Sequence, residues 1–187
     1  MKKVLFIMVF CSVLSLACVG AQNSASPADV EITFAFTRQS GSSSNQYAIW
    51  VEDSSGNFVK TLYATRYTAN GGWERRPQSI PLWVSRSGLS TMARRDIDAI
   101  TSATPRTGTQ SYRWDGTGKN GNRLAAGEYR VFLEATLRGD YRVLYSASVT
   151  LGGGSGSTVE AQVRAEYFGS GTSERGMIDS VKVVYKR

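Results

Sequence analysis

The side chains that most often carry chemistry in a small protein are scarce in this chain. It has no histidine, and its two cysteines, Cys11 and Cys18, both stand near the start. A Ser-His-Asp triad, a Cys-His dyad and a His/Cys zinc site therefore lack their parts. Any general base would be a carboxylate, a lysine or a tyrosine, and any metal a hard ion held by oxygen. The carboxylates at Glu31, Glu52, Asp53, Asp96, Asp98, Asp115, Glu128 and Glu134 show no spacing that holds two of them beside one scissile bond, so a hydrolase has no support. Two candidate regions remain. One is the hydroxyl-rich run Thr101-Ser102-Ala103-Thr104. The other is a polar, aromatic stretch over 67–83 that contains Tyr67, Trp73 and Trp83 with Arg75 and Arg76. Such rings stack on flat ligands and such guanidinium groups balance anionic ones, although both also serve as core or rim.

The elements that position these residues begin after an expected export signal. Lys2 and Lys3 give a positive start, Val4 to Leu16 is apolar and uncharged, and Val19-Gly20-Ala21 offers the small residues a signal peptidase reads. Cleavage is expected after Ala21. The apolar run is about 16 residues, short of the roughly 20 that cross a bilayer as a helix. Ser15-Leu16-Ala17-Cys18 resembles a bacterial lipoprotein site, with Ser15 where an aliphatic residue is usual; lipidation at Cys18 is the secondary expectation. About 166 residues then remain, enough for one domain with a core. The net charge of +7 loses Lys2 and Lys3 with the signal, and the basic remainder suits anionic ligands or ordinary solvated surface. No recognition motif for nucleic acid is present.

Beyond a Ser/Asn/Ala-rich lead over 22–28, the chain reads as short strands. Val30, Ile32, Phe34 and Phe36 alternate along one face, Tyr47 to Glu52 and Phe58 to Tyr63 form a hairpin across Asp53-Ser54-Ser55-Gly56-Asn57, and further runs cover Gly127 to Ala135 and Tyr141 to Leu151. The pattern predicts an all-β antiparallel sandwich over 29–151. One short amphipathic helix is expected where Leu89, Met92, Ala93, Ile97 and Ile100 recur, capped by Ser87 or Ser90 and ending before Pro105. Residues 152–158 read as a Gly/Ser linker. The tail, 159–187, is expected to add strands, with alternating runs at Val159 to Arg164 and Val181 to Tyr185, or to form an appendix.

The turn Trp114-Asp115-Gly116, with Gly121, Leu124, Gly127 and Tyr129 after it, resembles the Ig-like domain of the flagellar hook-capping protein and related exported bacterial domains. That resemblance implies an Ig-like sandwich in which Trp114 seals one end. A calcium loop on Asp115, Asn120 and Asn122 is the lesser reading, because its carboxylates are too few. A wider resemblance over 29–151 rests on Ile49-Trp50-Val51-Glu52-Asp53, Phe58-Val59-Lys60-Thr61-Leu62, Asp98 to Thr104 and the Trp114 turn. It is to a predicted periplasmic family of unknown function (domain of unknown function 2271).

Asp98-Ala99-Ile100-Thr101-Ser102-Ala103-Thr104 is also similar to the acceptor motif of exported flavoproteins, with Ser102 where glycine is usual. The similarity implies that an exported flavin transferase attaches FMN to Thr104 through a phosphoester, with Asp98, Thr101, Ser102 and Ala103 completing the motif. Small residues around the hydroxyl keep it open to such an enzyme, and Pro105 stops the segment from continuing as helix. On that reading Tyr67, Trp73 and Trp83 would stack on the isoalloxazine, Arg75, Arg76 and Arg106 would balance phosphate, and the partners would be the transferase and membrane redox proteins. The alternatives are a non-enzymatic envelope-protein-binding module and, least favoured, a carbohydrate module stacking sugars on Trp50, Trp73 and Trp83.

Overall fold

The computed structural model describes residues 29–40, 45–136, 140–152, 156–169 and 176–186. The expected signal over 1–21, Cys18 and the glycines at the centre of the linker lie outside the described residues.

Two sheets form a sandwich. The smaller contains β1 (Val30–Phe36), β5 (Gly108–Trp114), β8 (Thr158–Ala161) and β10 (Ile178–Lys186), in the order β5-β1-β10-β8. The larger runs β4-β3-β2-β6-β7-β9, from β2 (Gln46–Asp53), β3 (Phe58–Thr65), β4 (Thr101–Ser102), β6 (Gly127–Thr136), β7 (Arg142–Leu151) and β9 (Val163–Phe168). Every paired strand is antiparallel except β4, which runs parallel to β3. The fold class is thus the expected all-β sandwich, with a few short helices.

Strand β1 shows why the small sheet takes its place. Val30, Ile32, Phe34 and Phe36 are buried while Glu31 and Ala35 face out, a period of two that buries one face only. Burial of each such side chain stabilises the fold by about 1.5–3 kcal/mol. Strand β2 differs, since its first seven residues are all buried. Tyr47, Ile49 and Val51 enter the core between the sheets, whereas Ala48 and Trp50 enter a second core on the outer face of the large sheet. Strand β6 divides in the same way, with Val131, Leu133 and Ala135 inward and Phe132 outward.

The cover over that outer face is the insertion between β3 and β4. It is more broken than the single expected helix. A turn at Thr68–Gly72 leads into α1 (Trp73–Arg75), α2 (Pro81–Ser87), a 3-10 turn at Leu89–Thr91 and α3 (Arg94–Ile100). Met92 and Ala93 adopt extended backbone, which separates Leu89 from Ile97 and Ile100. Neither Ser87 nor Ser90 caps α3; its N-cap is Ala93, without a side-chain hydrogen bond. Helix α2 has Pro at its first position and ends on Gly88 in the left-handed conformation, where a glycine carries no Cβ penalty. The residue before it, Ile80, also has positive φ (42°) although β-branched. Its strain is held by burial and by the Thr136 hydroxyl, which accepts the Ile80 amide at 2.8 Å and donates to the Gln78 carbonyl at 3.1 Å.

The tail packs back into both sheets. The alternating run expected over Val159–Arg164 divides at Gln162: β8 pairs with β10 in the small sheet, and β9 pairs with β7 in the large one. Strand β10 lies between β1 and β8 and contributes Ile178, Val183 and Tyr185 to the inter-sheet core.

Candidate functional site

The segment Asp98–Thr104 begins on a helix and ends on a loop. Asp98 is exposed on α3 and pairs with Arg94 one turn back, Nε to Oδ1 at 3.4 Å. Thr101 and Ser102 then form β4, opposite Ala64 and Thr65 of β3. Two residues are too few to show a strand's period in sequence. Beyond Ser102 the chain leaves regular structure until β5, so Ala103, Thr104, Pro105, Arg106 and Thr107 form an irregular surface loop. Ser102 and Ala103 are exposed and Thr104 is half-buried. The Thr101 hydroxyl is buried without a hydrogen-bond partner.

The loop is tied at Ala103, whose carbonyl accepts the Tyr63 hydroxyl at 3.2 Å. Tyr63 belongs to an aromatic cluster at the mouth of the inter-sheet core. Its ring stacks on Tyr47 at 4.8 Å and tilts on Tyr112 at 4.9 Å, while the Tyr47 and Tyr112 hydroxyls lie 2.6 Å apart. Burial pushes all three phenols up from their ordinary value, so each stays protonated and able to donate. The acceptor-like loop therefore rests on a rigid, uncharged support.

A cleft of ≈ 1420 Å³ opens between α3 and the edges of the two sheets, and no residue of the 103–107 loop lines it. Met92, Ala99 and Ile100 line one wall, and Phe58, Lys60 and Leu62 of β3 line another. Arg113, Trp114 and the turn residues Lys119 and Asn120 close the far side, where Lys186 of β10 also reaches. Ile100 is where the cleft and the Asp98–Thr104 segment meet; from there the segment runs parallel to β3 past Thr65, away from the cleft, which lies along the first half of β3.

The cleft's carboxylates are already engaged. Asp29 pairs with Arg113 and, at 3.5 Å, with Lys186, and its hydrogen bond from Arg113 holds its pKa below the usual carboxylate range. Asp115 accepts the Thr117 hydroxyl at 2.6 Å and lies 3.8 Å from Lys60; the Thr117 bond is the chief reason its pKa is lowered. Asp96 pairs with Arg95 at 3.1 Å. Asp115 is thus occupied by its own turn and by a lysine, a poor start for the calcium loop. Trp114 is 1% exposed, packs edge-on against Tyr129 at 5.4 Å and donates its indole N–H to the Thr117 carbonyl.

The other ligand candidates fare unevenly. Trp83 is fully buried, with its indole N–H donated to Thr61 at 3.0 Å, so it is core and stacks on no ligand. Trp50 is equally buried, stacks on Phe132 at 5.1 Å and donates to Glu52, which removes a second platform from the carbohydrate reading. Trp73 is half-buried against the second core. Tyr67 is half-buried two residues past Thr65, where the parallel register also releases Thr104, two residues past Ser102. Arg75 and Arg106 are exposed, and partial burial lowers the pKa of Arg76. The cleft cations at Lys60, Lys119 and Lys186 were missed in the sequence, because three distant segments bring them together.

A family model described as a predicted periplasmic protein, DUF2271, matches residues 27–168. The chain belongs to this family. No curated protein and no solved structure matches it significantly. The family description supplies a compartment, the periplasm, in agreement with the expected export signal, and no activity. No helix among the described residues is long and apolar enough to cross a membrane. The match takes in β1 to β9, and β10 lies beyond its end.

Proposed function

We propose that this periplasmic protein is an electron carrier with FMN attached covalently to Thr104. The observation that carries the reading is the placement of Thr104 on an irregular surface loop, among small residues and anchored by Tyr63. A transferase needs a hydroxyl on such a presented backbone. In the attachment, the Thr104 oxygen forms a bond to the FMN phosphorus of FAD, the bond from that phosphorus to AMP breaks, and the hydroxyl proton passes to solvent. Once bound, the flavin supplies the redox chemistry, and the protein supplies attachment, orientation and local charge. Electrons would come from a membrane redox protein and pass to another extracytoplasmic partner.

The test is the intact mass of the exported protein after co-expression with an exported flavin transferase. The expected gain is FMN less one water, absent in Thr104→Ala. An unchanged mass while a known acceptor in the same cells is loaded, or a gain that persists in Thr104→Ala, would overturn the reading.

A second reading, an envelope-protein-binding module, draws on β9. This strand forms one edge of the large sheet, and Tyr167 on it is, among the described residues, the exposed large hydrophobic one, 46% accessible. Edge strands accept added strands from partners. On this reading the mature protein carries no added mass and Tyr167→Ser weakens capture of its partner.

A further inference from the structure

We infer that Tyr63 is a positioning residue for the attachment: its hydroxyl, with that of Ser102, fixes the peptide unit that enters Thr104 and so presents the Thr104 oxygen to the transferase. This rests on the proposed attachment and adds which residues of this chain govern its efficiency.

The Ala103 carbonyl belongs to the same planar peptide unit as the Thr104 amide, so a hydrogen bond to that carbonyl sets the orientation of both. It accepts the Tyr63 hydroxyl at 3.2 Å and the Ser102 hydroxyl at 3.3 Å. The two donors differ in their support. Ser102 is exposed, whereas Tyr63 is buried, with its ring stacked on Tyr47 and tilted on Tyr112. A ring packed against two others cannot swing its hydroxyl away without disturbing the core. Burial also keeps the phenol protonated, and hence a donor.

The other side of Thr104 is fixed independently. Pro105 restricts the residue before it to extended backbone and locks its own φ. Beyond it, the Gln110 side-chain amide donates to the Arg106 carbonyl at 3.2 Å, and the Thr107 hydroxyl accepts the Arg38 amide at 3.0 Å. Between these two held ends few backbone torsions remain, and a β-branched side chain adds little freedom at χ1. The Thr104 hydroxyl is therefore held near one orientation before the transferase arrives. Loss of the Tyr63 bond lets the loop sample others, and only the competent fraction binds. The apparent KM for the protein acceptor then rises while kcat is unchanged.

The deciding experiment is the rate of FMN transfer from FAD by a purified exported flavin transferase. The acceptor is protein exported by cells that lack the transferase, and the gain is read by intact mass at several acceptor concentrations. Tyr63→Phe keeps the ring and removes the donor; its KM is expected to rise about fivefold, with kcat equal to that of wild type. Ser102→Ala, at an exposed position where water substitutes for the hydroxyl, is expected to raise KM about twofold. Tyr112→Phe removes a hydroxyl from the same aromatic cluster, one that meets the Tyr47 hydroxyl, and serves as the control with unchanged KM. An unchanged KM in Tyr63→Phe or in Ser102→Ala, a loss confined to kcat, or a rise in Tyr112→Phe equal to that in Tyr63→Phe would overturn the positioning role while leaving the attachment intact. A wild-type chain that gains no FMN while a known acceptor is loaded would overturn both.

Discussion

The two cores of this molecule are built from different materials, although β2 and β6 feed both. Between the sheets the contacts are mostly aliphatic and aromatic, from Val30, Ile32 and Phe34 on one side to Leu133 and Val149 on the other. Under the insertion the apolar cluster is smaller, around Trp50, Trp83 and Ile80, and a buried polar network joins it. There the Gln46 side-chain oxygen accepts from the hydroxyls of Thr65 and Thr68 at 2.7 and 2.9 Å, and the Thr68 and Ser79 hydroxyls meet at 2.8 Å. The Glu134 carboxylate, fully buried, accepts the amides of Leu82 and Trp83 and pairs with Arg142 at 3.1 Å. It satisfies the open end of α2 from a strand distant in sequence, in the role that a local N-cap residue usually plays. An apolar core tolerates repacking, whereas a polar one specifies a single arrangement. The difference assigns the sandwich to stability and the insertion, whose last helix leads into the Asp98–Thr104 segment, to placement.

The comparison breaks most completely if the sandwich is robbed of a central strand. Truncation after Phe168 removes β10, strips Ile178, Val183 and Tyr185 from the inter-sheet core and leaves β8 without its partner. The expected result is no cooperative unfolding transition in urea; a retained transition would show that the family-matched segment folds alone. Next in size is Trp83→Ala, which empties the second core and leaves the Thr61 hydroxyl unpaired. Its expected cost is about 3–5 kcal/mol. Hydrogen exchange is expected to rise in α2 and α3 while the amides of β1 and β10 stay protected. Uniform loss of protection would show one cooperative unit instead of two.

The smallest effect is a pH slope. Burial outweighs the two amides and the Arg142 guanidinium, and pushes the Glu134 carboxyl above its ordinary range. The folded state then binds this proton more tightly than the unfolded chain. Its contribution to stability falls as pH rises from about 4 towards neutrality. Glu134→Gln is expected to remove that slope in urea melts. Asp29, Asp53 and Asp115 are lowered instead, by Arg113, Asn57 and Thr117 respectively, so their stabilisation is present near neutrality and fades as pH drops below about 4. A Glu134→Gln profile parallel to wild type above pH 4 would contradict the assignment.

How much of this was legible in the sequence follows from how local each signal is. Strand β1 declares itself through Val30, Ile32, Phe34 and Phe36, since only one of its faces is covered. Strand β2 is readable as a strand, but its burial on both faces depends on an insertion that begins after β3. Helix α2 carries its signals in plain view, Pro81 at the start and Gly88 at the end, although the aromatic residues around them also read as a stacking surface. Trp83 shows the cost: a tryptophan among arginines reads as a platform, and only the fold reveals that Thr61 holds its indole in the core. Strand β4 was illegible, as its pairing with Ala64 and Thr65 is parallel and two residues long. The cleft was equally hidden, because Lys60, Lys119 and Lys186 converge only when both sheets and the hairpin after Trp114 are in place.

The central claim is that Thr104 carries FMN, and it is tested most directly on protein recovered from its native envelope. Trypsin cleavage after Arg95 and Arg106 releases one peptide with Thr101, Ser102 and Thr104 as its hydroxyl residues. Fragmentation of that peptide in the mass spectrometer is predicted to locate FMN on Thr104. An unmodified peptide, with no flavin elsewhere on the chain, would contradict the claim.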